Sequence, residues 1–277
     1  MPQVGPRRSV LLALAFAALA PTAARARSPA LRQLLTAARR GDVAALRAAL
    51  AAGAEVDGTD PSFEQTALIR AAMFGQAMAV RTLLAAGADP RRKAAPDGQQ
   101  ALHWAAVAGS PDAIQALLAA GVAADVTDGH GATLLDHALG AGQPESVTAL
   151  LAGGADPGKL GRSLAFRIGP ALNPDTPPGE LEALRRAIRS GRGLERTAPH
   201  PGPGNALTAL AERSNRPGAE LLAADLVAAG VRLDVRDAQG RTAVQVIEQW
   251  LTTQRDDRYR AQMQRVLHVL RHAEARR

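Results

Sequence analysis

Apolar residues recur along this chain in short blocks that each end near a glycine. Each block begins with an aliphatic residue, has apolar residues three and four positions later, and reaches glycine seven positions later. Apolar positions at this spacing lie on one side of an α-helix, and glycine commonly ends helices in a left-handed turn. The pattern therefore predicts four helices that bury one face, in the blocks at 46–54, 80–88, 114–122 and 147–155.

A second set of blocks advances along the chain together with the first. The blocks at 66–72, 100–106 and 133–138 each open on a polar residue and run through apolar to small residues. Registers that advance in step indicate a repeat architecture built from helix pairs. Glycines separate the two kinds of block, at positions 41, 75, 109 and 142. The closing glycines, at 53, 87, 121 and 154, are spaced 34, 34 and 33 residues apart.

These registers resemble the ankyrin repeat, a family with a period of about 33 residues, an opening T-P-L-H-x-A and a second helix V-x-x-L-L-x-x-G-A. The resemblance implies an all-α solenoid of about seven helix-turn-helix repeats with hairpin-like fingers. Threonine would cap each first helix, paired alanines would let helices approach closely, and the apolar stripe would pack on the next repeat. The proline of the family pattern is Ala67, Ala101 and Leu134 here, and only the third repeat keeps the histidine, as His103.

The pattern weakens after the fourth repeat and returns near the end of the chain. Helices are predicted at 180–191 and 219–230, with inserted loops at 173–179 and 199–204, where proline and glycine interrupt helices. A polar helix at 259–271 would cap the solenoid. We therefore expect four parts: a signal peptide at 1–26, regular repeats one to four at 27–156, degenerate repeats with inserted loops at 157–235, and a capping repeat at 236–277.

Composition favours a helical protein without disulfides. Apolar residues make up 47% of the chain and aromatic residues only 3%, so alanine and leucine supply most of a core of closely packed helices. The chain has no cysteine, which excludes disulfides, thiolate metal sites and a cysteine nucleophile. The net charge of +7 falls to +4 without Arg7, Arg8 and Arg25, and so small a charge predicts no nucleic-acid partner.

The N-terminal segment has the composition of a removable signal peptide. Arg7 and Arg8 precede an apolar run at 10–20, and Ala-Arg-Ala at 24–26 is a small-x-small cleavage pattern. A membrane anchor is the alternative, but this run of 11 residues is shorter than the ~20 that span a bilayer. We expect export by the twin-arginine or the ordinary secretory route, a periplasmic or secreted location, and no stable membrane insertion after cleavage.

Histidines are the main candidates for a chemical site, and most have a structural interpretation. His103 occupies the family position whose ring hydrogen-bonds neighbouring backbone turns, and Trp104 beside it is expected in the core. His268 and His272 are four residues apart and could share a metal, but Glu274 is the only acid near them in sequence. We therefore expect these residues to have structural roles.

The remaining signals for catalysis are weak. His130 and His137 straddle a finger and a helix, where the sequence does not fix their geometry. No nucleophile elbow, P-loop, H-E-x-x-H motif or dinucleotide fingerprint occurs. Repeats that cover residues 29–273 also leave no room for a separate catalytic domain. We expect no enzyme activity, no cofactor and no metal.

Partners of ankyrin proteins usually contact the fingertips and the positions just after the paired alanines of the first helix. The same alignment places Leu139 and Gly140 on this face in repeat four. The large apolar residues of repeat two would form an exposed cluster of the kind that marks interfaces, or would alternatively fold into the core between repeats. The candidate partner-binding residues are Phe63, Gln65, Met73, Phe74, Asp97, Gln99, Val107 and His130.

The sequence as a whole predicts a monomeric, non-enzymatic interaction module of the bacterial cell envelope that binds an unidentified protein through its concave face. By family analogy it would be an adaptor, a regulator or a protective or immunity protein. The alternative is a secreted effector, or an accessory factor of an envelope enzyme such as a stress-protection enzyme. The basic run at 91–93 ahead of the third finger would either attract an acidic partner or be solvated.

Overall fold

The fold is seen in a computed structural model that describes residues 28–159, 164–173, 175, 179–190 and 206–276. The predicted signal peptide at 1–26 and the predicted loop at 199–204 lie outside these residues, and the predicted loop at 173–179 lies partly outside them.

Within the described residues, the chain forms fourteen α-helices in seven consecutive pairs, with isolated β-bridges in place of strands. This confirms the prediction of an all-α solenoid of about seven repeats. Odd-numbered helices are the first helices of their pairs, and even-numbered helices are the second. In chain order the helices are α1 Pro29–Arg40, α2 Val43–Ala51, α3 Ala67–Met73, α4 Ala77–Ala85, α5 Ala101–Val107, α6 Pro111–Ala119, α7 Leu134–Gly140, α8 Pro144–Ala152, α9 Leu164–Ala171, α10 Glu180–Arg189, α11 Ala206–Ala211, α12 Ala219–Ala228, α13 Ala243–Thr253 and α14 Asp257–Glu274.

The first helices of the regular repeats begin and end close to where the sequence pattern predicts, whereas the second helices begin and end three residues before their predicted blocks. Thr66 caps α3, because its Oγ1 accepts a hydrogen bond from the N–H of Ile69 at 3.2 Å. Thr133 and Thr242 cap α7 and α13 in the same way. A glycine after each of the first four first helices adopts a left-handed conformation that side chains disfavour. These glycines are at 41, 75, 109 and 142, with φ between 63° and 70°.

Neighbouring repeats pack through two columns of helices. First helices pack on first helices, as α3 does on α1 and α5, and second helices pack on second helices, as α4 does on α2 and α6. The paired alanines of α3, Ala71 and Ala72, are fully buried, so these helices approach closely. Val80 and Leu83 of α4 are also fully buried. Burial of one such aliphatic side chain contributes roughly 2 kcal/mol, so each repeat depends on its neighbours for stability.

The fourth repeat corrects one position of the predicted binding face. Leu139 is predicted on the exposed face, and this prediction is wrong because the side chain lies in the core, 1% exposed. The threonine cap and the left-handed glycine after the first helix are equally far apart in repeat four, Thr133 and Gly142, and in repeat two, Thr66 and Gly75. Leu139 therefore takes the place of the second alanine of the pair. The positions after the pair are Gly140, which is exposed, and Ala141, which is half-buried.

A partly buried ion pair joins the regular repeats to the degenerate part. The guanidinium of Arg167 on α9 lies 2.8 Å from the carboxylate of Asp136 on α7. The same carboxylate accepts hydrogen bonds from the N–H and the hydroxyl of Thr133. Burial raises the pKa of Glu180 on α10, and the positive charge of Arg167 opposes that rise. A polar contact therefore supplements apolar packing at this junction.

An aspartate holds the turn in three of the fingers. Asp60 accepts hydrogen bonds from three backbone N–H groups of its own turn, and Asp128 and Asp237 each accept two. Burial opposes ionisation of these carboxyl groups, but the hydrogen-bond donors outweigh it and lower the pKa of each. The third finger has Ala94 in this position.

His103 is fully buried where repeats three and four meet, as its structural interpretation predicts. Its Nδ1 accepts a hydrogen bond from the N–H of Gln100 at 3.2 Å, and its ring meets the ring of His137 edge-on, with 5.3 Å between centroids. Burial, together with the smaller effect of His137, lowers the pKa of His103 to about 4. The imidazole is therefore neutral near neutral pH. Trp104 beside it is half-buried and packs against the core.

We expect His103 to make the fold sensitive to acid. Because the fold favours the neutral ring, its contribution to stability is complete above the unfolded-state pKa of about 6.5 and is lost as the pH falls towards about 4. The loss should reach roughly 3 kcal/mol of unfolding free energy, measured by urea denaturation at a series of pH values. The variant His103→Asn keeps an acceptor but does not titrate, and it should lose less stability over this range. Equal losses of stability in both proteins would show that protonation of His103 is not the cause.

We expect a second stability change at the second finger. Glu64 has a φ of 53°, and it occupies the finger position held by Gly98 and Gly131 in the next two repeats. A side chain in this conformation costs about 1 kcal/mol, so Glu64→Gly should raise the unfolding free energy by about that amount. The control Glu64→Ala removes the carboxylate but keeps the strain, and it should change stability little. A similar gain in unfolding free energy in both variants would show that the effect comes from the charge of Glu64.

Candidate functional site

Exposed apolar side chains single out the second repeat. Three large apolar side chains of this repeat are exposed: Phe63 by 56%, Phe74 by 50% and Met78 by 60%. The alternative in which the two phenylalanines fold into the core is therefore wrong. The other exposed large apolar residues of the described chain are Leu221, Trp250 and Tyr259, in the last two repeats.

Phe63 is held at the turn of the second finger. This finger is one residue longer, between its aspartate and its threonine, than the finger that runs from Asp128 to Thr133. The N–H of Phe63 donates to the carboxylate of Asp60 at 2.8 Å, and its carbonyl accepts from the N–H of Ala95 in the third finger at 3.0 Å. Both backbone groups are engaged, so the main chain that carries the exposed ring is held in place.

Phe74 lies at the opposite end of the first helix, directly after α3. The guanidinium of Arg39 in repeat one lies 5.8 Å from its ring centroid, within the range of cation–π attraction. Met73 beside it is half-buried, and Met78 follows in the first turn of α4. We call Phe63, Met73, Phe74 and Met78 the repeat-two strip, because they extend along this repeat from the finger to the turn between its helices.

Backbone hydrogen bonds connect fingers two, three and four. The bond from Ala95 to Phe63 joins the second and third fingers, and the N–H of Gly129 donates to the carbonyl of Asp97 at 2.7 Å between the third and fourth. A Cβ at Gly129 would lie 2.9 Å from that carbonyl oxygen, so the close approach requires glycine. His130 adds a contact of 3.2 Å from its Nε2 to the Asp97 carboxylate. The row of fingers is therefore a connected surface.

The other predicted finger residues have mixed roles. The carbonyls of Gln65 and Gln99 accept hydrogen bonds from the N–H groups of Asp60 and Ala94, at 3.1 and 2.9 Å, and close the bases of their fingers. The side chains of both glutamines are half-buried. The side chain of His130 is 74% exposed and available to a partner. These residues can supply a polar rim beside the repeat-two strip.

Small side chains line the face next to the strip. Val107 and Ala108, at the end of α5, are half-buried, and the corresponding positions of repeat four are Gly140 and Ala141. These positions therefore carry smaller side chains than Met73 and Phe74 do in repeat two.

Met78 and Trp250 are absent from the sequence candidates although both are exposed. Trp250 follows its threonine cap at the same distance at which Phe74 follows Thr66, so the repeat register could have identified it. Met78 lies beyond the first helix, in α4, where the family pattern gives no signal. The exposed apolar surface of repeat two is therefore larger than the sequence indicates.

The histidines have structural contacts. The Nε2 of His137 lies 3.0 Å from the carboxylate of Asp128, which also holds the fourth finger. The rings of His268 and His272 stack on α14 with 6.1 Å between centroids. In the part of the chain that the structure covers, no group of three or more His, Asp or Glu side chains is placed to hold a metal ion. The same residues contain no helix that is long and apolar enough to cross a membrane.

Comparisons with known proteins agree with this architecture. Residues 34–84 match a family model described as ankyrin repeats in many copies, and residues 80–160 match one described as ankyrin repeats in three copies. No curated protein sequence matches the chain. Among solved structures, the ankyrin repeat domain of human ASB11 is similar in fold, with a TM-score of 0.61 and 22% sequence identity over 86% of this chain and 98% of that one. By its repeat register, its helix pairs and these matches, the chain is an ankyrin-repeat protein, with the family models covering residues 34–160.

Proposed function

We propose that this ankyrin-repeat protein is a non-enzymatic interaction module that holds a partner protein against its fingers and first helices. Ankyrin repeats typically form protein-binding scaffolds without catalytic groups. The observation that carries the proposal is the repeat-two strip, in which two phenylalanines and a methionine are at least half exposed. Clusters of exposed large apolar side chains mark interaction surfaces in soluble proteins.

Burial of the strip would supply much of the binding free energy. Phe63 and Phe74 keep 56% and 50% of their surface accessible. Removing the exposed half of a phenylalanine from water contributes roughly 2 kcal/mol. Two such rings can act as anchors, while the polar groups around them exclude water and orient the partner.

The fingers reduce the cost of binding because they are already ordered. Hydrogen bonds from Ala95 to Phe63 and from Gly129 to Asp97 fix the relative positions of three fingertips. A preorganised surface loses less conformational entropy when a partner binds. The ordered fingers therefore favour a partner that docks on the existing shape of the face.

We place this module in the bacterial cell envelope, as an adaptor, a regulator or a protective protein for an envelope partner. Support comes from the N-terminal segment, in which Arg7 and Arg8 precede the apolar run at 10–20 and a small-x-small pattern follows at 24–26. A partner in that compartment would include the envelope enzymes that such a protein could assist.

Removing both aromatic anchors should release the partner without unfolding the protein. Crosslinking in intact cells, followed by mass spectrometry, identifies the partner of the wild-type chain, and its purified form is then titrated against variants. Phe63→Ala/Phe74→Ala should bind on the order of 1,000-fold more weakly, because two anchors of roughly 2 kcal/mol each are lost.

The matched control for this experiment is Leu221→Ala/Tyr259→Ala, which removes two exposed apolar side chains from the last two repeats. This variant should bind like the wild type. Tight binding by a correctly folded Phe63→Ala/Phe74→Ala variant would refute the proposed face. Equal weakening in both variants would show that binding is not specific to repeat two.

Export should leave a shortened chain outside the cytoplasm. Mass spectrometry of the protein purified from fractionated host cells should give an N-terminus near Arg27, in the periplasmic or secreted fraction. Replacing the paired arginines, Arg7→Lys/Arg8→Lys, should block export if the twin-arginine route is used and have little effect on the ordinary secretory route. A full-length chain in the cytoplasm would refute the envelope location.

A further inference from the structure

We propose, as an extension that rests on the proposed function, that the repeat-two strip recognises an acidic segment of the partner, in which carboxylates lie beside two apolar anchors. The proposal comes from the charged groups around the strip. Two cations near it, Arg39 and Lys93, form no ion pair with a carboxylate of the described residues, while most of the nearby acids are already engaged.

The first cation is Arg39, at the helix end of the strip. Its guanidinium lies 5.8 Å from the centroid of the Phe74 ring, and the side chain is exposed. Among the described residues, no carboxylate lies within ion-pair distance of Arg39. A carboxylate that approached Phe74 from solvent would meet this guanidinium and could form a bidentate pair with it.

The second cation is Lys93, beside the third finger, which neighbours the finger that carries Phe63. Its side chain extends beside Gly98, with its Cδ 3.8 Å from the place of a Cβ there, and Ala95 of the same finger is hydrogen-bonded to Phe63. Lys93 is exposed, and the described residues provide no carboxylate within ion-pair distance of its ammonium group. One cation therefore lies against the Phe74 ring, and a second lies beside the finger that is hydrogen-bonded to Phe63.

The acids of the same fingers form no ion pair with these two cations. The carboxylate of Asp60 accepts three backbone hydrogen bonds and lies 3.2 Å from the guanidinium of Arg70. Asp97 faces His130 at 3.2 Å. Glu64 is the one exposed acid at the tip of the second finger. The surroundings of the strip therefore attract an acidic segment and disfavour a basic one.

The length of the strip sets the spacing of the partner's anchors. Phe63 and Phe74 lie beyond opposite ends of α3, a helix of seven residues that is about 10 Å long. Apolar side chains that reach both rings must therefore be about 10 Å or more apart, which corresponds to two turns of a helix or at least three residues of a strand. The acidic groups would flank these two anchors.

Aromatic rings next to cations also occur in proteins that bind single-stranded nucleic acid. Such sites combine stacking rings with a positively charged groove that follows the phosphate backbone. Here the rings are accompanied by Met73 and Met78, and Glu64 adds a negative charge to the finger that carries Phe63. These features favour a peptide.

A peptide-display selection tests the inference. A random library is selected on the immobilised full chain and, in parallel, on Phe63→Ala/Phe74→Ala. Peptides enriched only on the wild type are synthesised, together with copies in which Asp and Glu are replaced by Asn and Gln, and their binding is measured by fluorescence anisotropy. The enriched peptides should carry an excess of acids around two apolar residues. The neutralised copies should bind about tenfold more weakly, as should the originals when NaCl rises from about 50 to about 500 mM.

Charge-reversal variants locate the cations responsible. Arg39→Glu/Lys93→Glu should weaken binding of the acidic peptides about tenfold or more. Arg47→Glu/Arg258→Glu, with the same change in net charge at exposed positions on second helices, should bind like the wild type.

The outcomes separate this inference from the proposed function. If the enriched peptides require Phe63 and Phe74 but show no acidic excess, or if they bind Arg39→Glu/Lys93→Glu as tightly as the wild type, the inference is wrong and the proposed face stands. If no enriched peptide requires the two phenylalanines, the proposed face itself fails. Competition for the strip by a thymidine oligonucleotide would assign it to nucleic acid and overturn the inference.

Discussion

The alanine pairs of the first helices determine how closely successive repeats approach. Ala71 and Ala72 in repeat two, and Ala105 and Ala106 in repeat three, have no exposed surface. These small side chains let the first helices of repeats two and three approach closely, while aliphatic residues such as Val80 bury between the second helices. A single helix pair has no core of its own, so stability arises at each contact between neighbours. The same contacts fix the spacing of the fingers, and with it the shape of the binding face.

The exposed apolar residues of repeat two stand out against a scaffold that buries most of its other apolar side chains at the contacts between repeats. A solenoid that buries its apolar residues at every repeat contact nevertheless keeps Phe63, Phe74 and Met78 accessible. Hydrogen bonds among the fingers hold the finger end of this strip, and packing of α3 holds the other end. Large apolar groups presented on an ordered surface are typical of protein interfaces, where a few anchors supply most of the binding free energy. The cations near this strip that form no ion pair are the basis of the proposed preference for acidic partners.

Local patterns explain how much of the fold could be predicted from the sequence. Threonine caps and left-handed glycines act within a few residues of their helices, so Thr66 and Gly75 could be placed correctly. Contacts between residues that are distant in the sequence could not be predicted in this way. The ion pair of Arg167 with Asp136 is such a contact. Leu139 was misplaced because repeat four has leucine where the pattern has its second alanine.

Of the candidate site, the sequence identified the two aromatic anchors but did not determine whether they are exposed. The extra residue in the second finger left Phe63 free to face the core or the solvent, and only the bonds to Asp60 and Ala95 decide between them. Met78 was not predicted because it belongs to a second helix. The exposed positions of second helices do not follow the family's binding pattern. The direction of a side chain at a turn depends on tertiary contacts that a repeat alignment does not contain.

Site-directed photocrosslinking in intact cells tests the central claim most directly, namely that a protein partner binds the face formed by the fingers and first helices. A photoreactive amino acid at position 73 or 107 should capture one partner protein in high yield. The same group at position 47 or 115, both exposed on second helices, should capture little of it. Equal capture from both sides, or capture from the second helices alone, would contradict the account.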